Sequence, residues 1–161
     1  MTILTERLRL DPLRIEDADE LFGVLDDERL HEFTGGRPAT LAELRTHYTR
    51  LLVGSPKTDE VWFNWIVRRR SDSQPVGTVQ ATLRDGRRSA LLAWVIGAEW
   101  QRQGFASEAA LGLVQWLRAA GVSDFAAHVH PEHAASEAVA RNVGLEPTDW
   151  EIGGERVWRS P

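Results

Sequence analysis

The 161-residue chain has no cysteine, which excludes a thiol nucleophile, a disulfide framework and a thiolate metal site, and leaves the redox compartment unread. Lysine is nearly as scarce. Lys57 stands alone among arginines, and no Gly-x-x-x-x-Gly-Lys-Ser/Thr phosphate loop occurs. The first residues, Met1 to Leu10, alternate in polarity instead of forming an apolar block, so neither a signal peptide nor a membrane span is expected. A cytoplasmic protein with no membrane partner is the resulting expectation. No repeat, low-complexity tract or Pro/Gly/Ser-rich linker is present. One domain over residues 1–161 is therefore expected, able to bury roughly 68–70% of its unfolded surface. The net charge of −5 argues against nucleic acid as the main partner, because phosphate binding calls for a basic surface.

What is present has a clear order. Leu4, Leu8 and Leu10 sit at even spacing and predict a first strand over Leu4–Leu10, ended by Asp11-Pro12. Ala18, Leu21, Phe22 and Leu25 form a helical stripe that begins after Glu16 or Asp17. Asp26-Asp27 can cap a second short helix through Leu30 and Phe33, stopped at Gly35-Gly36. Thr40 followed by Glu43 has the form of a capping box, opening a third helix whose apolar face carries Leu41, Leu44, Tyr48, Leu51 and Leu52. The period then changes. Val61–Arg69 and Val76–Leu83 are β-branched and aromatic runs around a Ser71–Pro75 turn, which predicts an antiparallel hairpin. Asp85-Gly86 marks a tight turn before a third, strongly apolar strand, Ala90–Ile96. Phe105, Ala109, Leu113, Val114 and Leu117 predict a long helix ended by Gly121. Phe125–His130 reads as a buried strand, Ala134–Val143 as a helix ended by Gly144, and two short strands follow around Gly153-Gly154. The order β-α-α-α-β-β-β-α-β-α-β-β predicts a mixed α/β (α+β) domain and excludes a doubly wound parallel sheet.

The chemistry is concentrated where Ala90–Ile96 passes into the long helix, at Gln101-Arg102-Gln103-Gly104-Phe105-Ala106-Ser107. A helix N-terminus has unpartnered N–H groups and partial positive charge, so it attracts phosphates. Gly104 and Ala106 are small enough to let a diphosphate approach the backbone, Ser107 adds a hydroxyl, and Arg102 adds a cation. An ordinary helix-start glycine explains the same residues equally well.

With these residues the chain resembles the GCN5-related N-acetyltransferases, in particular the RimJ/RimL-like ribosomal-protein acetyltransferase branch. The family motif (Gln/Arg)-x-x-Gly-x-(Gly/Ala) is matched by Gln101, Gly104 and Ala106, after Trp94-Val95-Ile96 and before Glu108-Ala109. Thr5 to Leu10 with Pro12-Leu13 resembles the branch's first strand, Pro75-Val76-Gly77-Thr78 its hairpin, and Pro131 to Leu145 its final helix. The resemblance implies a mixed central sheet with a V-shaped opening between the strands Ala90–Ile96 and Phe125–His130. It also implies acetyl-CoA as co-substrate, with no metal. The pantetheine arm would pair with backbone at Trp94, Val95 and Ile96, and the pyrophosphate would take N–H groups from Gln103, Gly104, Phe105, Ala106 and Ser107. An amine, carried by a small molecule or a protein N-terminus, would be acetylated directly in a ternary complex. A homodimer is an open expectation.

The catalytic positions carry over unevenly. The family's Asn-x-x-(Ser/Ala) appears as His133-Ala134-Ala135-Ser136, with His133 in place of the asparagine that usually contacts pantetheine. Ala140 stands where many relatives have the tyrosine that protonates the departing thiolate, and Leu91 where a glutamate is often found. Ser136 is the resulting candidate acid, directly or through water, and Glu32 and Glu60 are the candidate bases, beside Asp59 and Glu151. An α-amino group has an unperturbed pKa near ~8, so a base need only accept a proton through water. The absent tyrosine and glutamate also motivate an alternative: a catalytically silent acyl-CoA-binding sensor or interaction module. His128, His130 and His133 invite a metal site, but no carboxylate cluster in the sequence completes it. The seven tryptophans are mostly expected in the core, Trp100 being the exception to look for. Arg68-Arg69-Arg70 reads as a solvated strand end.

Overall fold

The structure, a computed structural model, describes residues 1–33 and 35–161. Its elements are β1 (Ile3–Leu4), β2 (Leu8–Pro12), α1 (Asp17–Leu25), α2 (Leu41–Val53), β3 (Val61–Arg69), β4 (Pro75–Arg84), β5 (Ser89–Ile96), α3 (Phe105–Ala119), β6 (Asp124–Val129), α4 (Ala134–Asn142), β7 (Glu146–Ile152) and β8 (Glu155–Arg159). The strands form one mixed sheet in the order β1-β2-β3-β4-β5-β6-β8-β7. Neighbours are antiparallel except β5 and β6, which run parallel. The mixed α/β fold expected from the sequence is the fold observed.

Local signals account for most boundaries. Thr40 accepts from the Glu43 N–H while the Glu43 carboxylate accepts from the Thr40 N–H, which completes the capping box. The β3–β4 hairpin forms around the expected turn, with Trp65 opposite Val79. Two expectations are corrected. The single first strand is split into β1 and β2, because Thr5 and Arg7 turn aside to bind α3 and the chain folds back with Ile3 opposite Leu10. The second helix is a single 3₁₀ turn, Glu28–His31, opened by the Asp27 side chain accepting from the Arg29 N–H. Its expected continuation past Phe33 includes Thr34, which lies outside the described residues.

The sheet is covered on both faces. On one, α3 packs against Leu8, Leu10, Trp65, Val67, Val79 and Ala81. On the other, α1 and α2 enclose Leu13, Ala18, Leu21, Leu44, Tyr48 and Ile66. Alternation along β3 sends Trp65 and Val67 to one core and Ile66 to the other. Each fully buried leucine of this kind contributes roughly 1.5–3 kcal/mol. Arg68, next in that alternation, corrects the expectation of a solvated arginine run. It is buried, with its guanidinium 2.9 Å from Glu20 and 3.4 Å from Asp17. These pairs fasten α1 to the sheet beside a cavity of about 400 Å³ lined by Arg14, Asp17, Ile66 and Arg68. Among the tryptophans, Trp65 and Trp158 are buried, and Trp100 packs against the larger core with Arg69 over its ring. Among the described residues no helix is long and apolar enough to cross a membrane.

Candidate active site

The sheet opens between β5 and β6. These strands pair only from Ser89 opposite Asp124 to Leu92 opposite Ala127. Beyond that point β5 stays on β4 as far as Ile96, while among the described residues His128 and Val129 of β6 pair only with β8. Gly77 on β4 lets the end of β5 lie close against β4. A Cβ at that position would lie 2.0 Å from the Val95 carbonyl oxygen, so glycine alone lets β4 draw the end of β5 toward itself. The Gly97 N–H continues the β4 ladder by donating to the Val76 carbonyl. Strand alternation then turns the backbone of Ala93 and Val95 toward β4 and that of Trp94 and Ile96 toward the opening. The Ile96 carbonyl is taken by the Gln101 side-chain amide at 3.0 Å.

The turn into α3 forms one end of this opening. Arg102 (φ 64°) and Gly104 (φ 80°) both have left-handed backbone, and α3 starts at Phe105. The Glu108 N–H, donating to the Gly104 carbonyl, makes the first hydrogen bond of the helix. Among the described residues the N–H groups of Arg102, Gln103, Gly104, Phe105, Ala106 and Ser107 have no partner, a run of donors suited to a diphosphate. Arg102 is exposed and forms no ion pair among the described residues. The Ser107 hydroxyl accepts from the Asn142 amide at 2.9 Å, joining the first turn of α3 to the last of α4.

A bracket from the other end of the chain holds the turn. Arg7 donates to the Gln103 carbonyl at 2.9 Å, lies over the Phe105 ring, and donates through Nε to Glu108 at 2.7 Å. The Arg7 N–H and the Thr5 hydroxyl also donate to Glu108. Burial alone would raise the Glu108 pKa, but the hydrogen bonds from Thr5 and Arg7 outweigh it and hold the carboxyl below its ordinary value. Sequence reasoning assigned no role to Thr5 or Arg7, since nothing local signals a partner about a hundred residues away.

Facing the turn across the opening is the start of α4. His133 caps this helix, its Nδ1 accepting from the Ser136 N–H at 3.2 Å, and its Nε2 lies 3.4 Å from the Ser136 hydroxyl. The Trp94 indole reaches over from β5 and donates to the same hydroxyl at 3.3 Å. Phe33 packs on the His133 ring, centroids 4.5 Å apart, and on His130 at 5.4 Å. Burial pushes the His133 pKa down, and a hydrogen bond to its own backbone and then the nearby Glu32 carboxylate partly oppose this. Ala140, at the expected tyrosine position, is fully buried.

The expected residues thus fall into two groups. Trp94, Val95, Ile96, Gln101 to Ser107, His133 and Ser136 line or frame the opening, with Glu32 close enough to act on His133. Glu60 does not join them, and its expected role as base is corrected. It precedes β3 at the closed end of the sheet, where Val61 lies opposite Leu83 and Ala90 pairs with Phe125. Its buried carboxylate accepts from Arg84, Trp62 and Ser55, which hold its pKa at about 2. A carboxylate so satisfied is a poor proton acceptor. Among the described residues no group of three His, Cys, Asp or Glu side chains is placed to hold a metal ion.

An acetyltransferase (GNAT) domain family model matches residues 7–146. The chain belongs to this acetyltransferase family. Three similar solved structures share the fold over nearly the whole chain. A GNAT-family acetyltransferase from Bacillus anthracis has a TM-score of 0.81 at 18% identity, covering 99% of this chain and 96% of its own. RimL, a ribosomal alpha-N-protein acetyltransferase solved with coenzyme A, has a TM-score of 0.80 at 13% identity, covering 99% and 97%. AAC(6')-Ib, solved with an aminoglycoside and acetyl-CoA, has a TM-score of 0.80 at 15% identity, covering 96% and 93%. No curated protein sequence matches the chain.

Proposed function

We propose that this acetyltransferase moves an acetyl group from acetyl-CoA directly to a primary amine within a ternary complex. The observation that carries the reading is the joining of a β5 edge and six N–H groups at the start of α3, both without partners among the described residues. An extended amide-bearing arm fits the first as an added strand, and a diphosphate fits the second. In this arrangement the Trp94 and Ile96 backbone pairs with the pantetheine arm. Residues 102–107 hold the pyrophosphate, and Arg102 adds charge. The thioester supplies an activated acyl carbon: its C–S bond breaks as the N–C bond forms, and the proton lost by nitrogen ends on sulfur. Ser136 points its hydroxyl at the departing sulfur and relays that proton, while Glu32 receives the amine's first proton through water.

The acceptor is an amine on a protein N-terminus or on a small molecule. RimL and AAC(6')-Ib, which share the fold, carry names and bound molecules of these two kinds. The net charge of −5 favours a cationic acceptor of either kind. The test is thiol release from acetyl-CoA over a panel of N-terminal peptides, aminoglycosides and polyamines, run beside calorimetric titration with CoA. Turnover with at least one amine supports transfer. CoA binding with no turnover across the panel would instead favour the silent sensor, and no CoA binding would overturn both.

A further inference from the structure

We propose that residues 26–33 form a strap across the mouth where β5 and β6 part, and that Phe33 is the positioning residue that latches it over the bound thioester. The proposal rests on the acetyl-transfer reading above, which puts the acyl arm in that opening. One end of the strap is fixed at β5. Gly97 directly follows that strand, and a Cβ on it would lie 2.5 Å from a Val24 methyl and 3.1 Å from the Val24 carbonyl oxygen. Glycine thus lets the last turn of α1 rest against the end of β5. Asp26 and Asp27, the first strap residues, then line a cavity of about 300 Å³ together with Ala98 and Glu99 from the loop after β5. The other end of the strap reaches β6. The Phe33 ring packs on His130, just past that strand, with centroids 5.4 Å apart, and on His133, at the start of α4, at 4.5 Å. The chain from Val24 to Phe33 therefore joins the two walls of the opening.

The strap is ordered within itself and held lightly from outside. Among the described residues, none from Asp26 to Phe33 is buried or belongs to either core. Their hydrogen bonds run within the strap, to the end of α1 or to Gly35. Leu30 and Phe33 are the large apolar side chains of the strap, and Phe33 is the one stacked on rings outside it. Beyond the strap, Gly35 and Gly36 have φ of 75° and 79° with open space at their Cβ positions, a place able to absorb a large backbone change. A segment with few buried contacts opens at low cost, here once Phe33 leaves the two imidazoles. Open, the strap admits the amine and releases CoA. Shut, it keeps water from the thioester and brings Glu32, the proposed proton acceptor, to the mouth. Water that does enter breaks the C–S bond as a C–O bond forms, giving acetate, the CoA thiol and a proton. A failed latch therefore appears as thiol release without amine.

The experiment compares the full chain as wild type, Phe33→Ala and Phe33→Tyr. Trypsin supplies a readout independent of activity. Arg29 sits in the 3₁₀ turn of the strap with its side chain 68% exposed, and cleavage after it follows the population of the released strap. Arg87, in the turn between β4 and β5, is the internal control. Phe33→Ala should speed cleavage after Arg29 by about tenfold, the worth of two aromatic contacts, and leave cleavage after Arg87 unchanged. Phe33→Tyr keeps the ring and should stay within about twofold of wild type. In the thiol assay, release from acetyl-CoA without amine, relative to release with amine, should rise about tenfold in Phe33→Ala and hold in Phe33→Tyr. Wild-type cleavage after Arg29 in Phe33→Ala would overturn the proposal. So would an equal rise after Arg29 and Arg87, which reports unfolding of the whole domain, or faster cleavage with an unchanged ratio of the two releases. If wild type releases no thiol with any amine, the transfer reading fails instead, and cleavage after Arg29 still decides whether Phe33 latches the strap.

Discussion

Gly104→Ala separates the phosphate-binding turn from an ordinary helix start. Gly104 has φ 80° and ψ 7°, in the left-handed region, where a Cβ costs roughly 1–2 kcal/mol. The added methyl would also lie 3.3 Å from an Arg7 guanidinium nitrogen, a flexible group that can yield. The backbone can keep its conformation at that cost, or relax and swing the N–H groups of residues 102–107 out of line. One charge-assisted hydrogen bond lost to an anion is worth about 1.5–3 kcal/mol, so relaxation should weaken CoA binding by about tenfold or more. Gly121 supplies the control: it has φ 101° with open space around its Cβ position, at the opposite end of the same helix. Urea denaturation should show losses of about 1–2 kcal/mol for both Gly104→Ala and Gly121→Ala. Calorimetric titration with CoA should show a loss for Gly104→Ala alone. Wild-type affinity in Gly104→Ala, or an equal loss in Gly121→Ala, would refute the turn as the pyrophosphate site.

Two further outcomes follow from the geometry. Ser136→Ala should lower kcat by about tenfold to a hundredfold, water partly substituting, while CoA affinity by calorimetry stays within about twofold; unchanged kcat would remove Ser136 from the chemistry. Glu60→Gln should leave the kinetic constants for thiol release unchanged and alter acid stability instead. Arg84, Trp62 and Ser55 depress the Glu60 pKa from 4.5 to about 2, so its contribution to stability is present above about pH 4.5 and fades as pH falls toward 2. Urea midpoints should therefore differ most between wild type and Glu60→Gln near pH 6, and converge near pH 2. A loss of kcat with an unchanged urea midpoint would return Glu60 to the list of bases.

How much of this was legible in the sequence depended on the range of the interaction. The capping box at Thr40 and Glu43 and the hairpin around Ser71–Pro75 are written within a few residues, and both stand where the pattern put them. The insertion of β8 between β6 and β7 was hidden, because strand order is set by packing across the sheet. Arg68 was misread for the same reason: its partners Asp17 and Glu20 lie about fifty residues upstream. Within the site the same division holds. The proposed donor side is made of backbone, from Trp94 through Ser107, so a strand, a glycine and a helix start were enough to propose it. The proposed proton-handling side is made of side chains from separate elements. Trp94 comes from β5, His133 and Ser136 from α4, and Phe33 from the segment before α2, and no spacing rule connects them. His133 was legible only as a departure from the family's asparagine. The geometry shows what the departure changes: an imidazole caps α4 through Nδ1, with Phe33 packed on its ring and the Ser136 hydroxyl beside it.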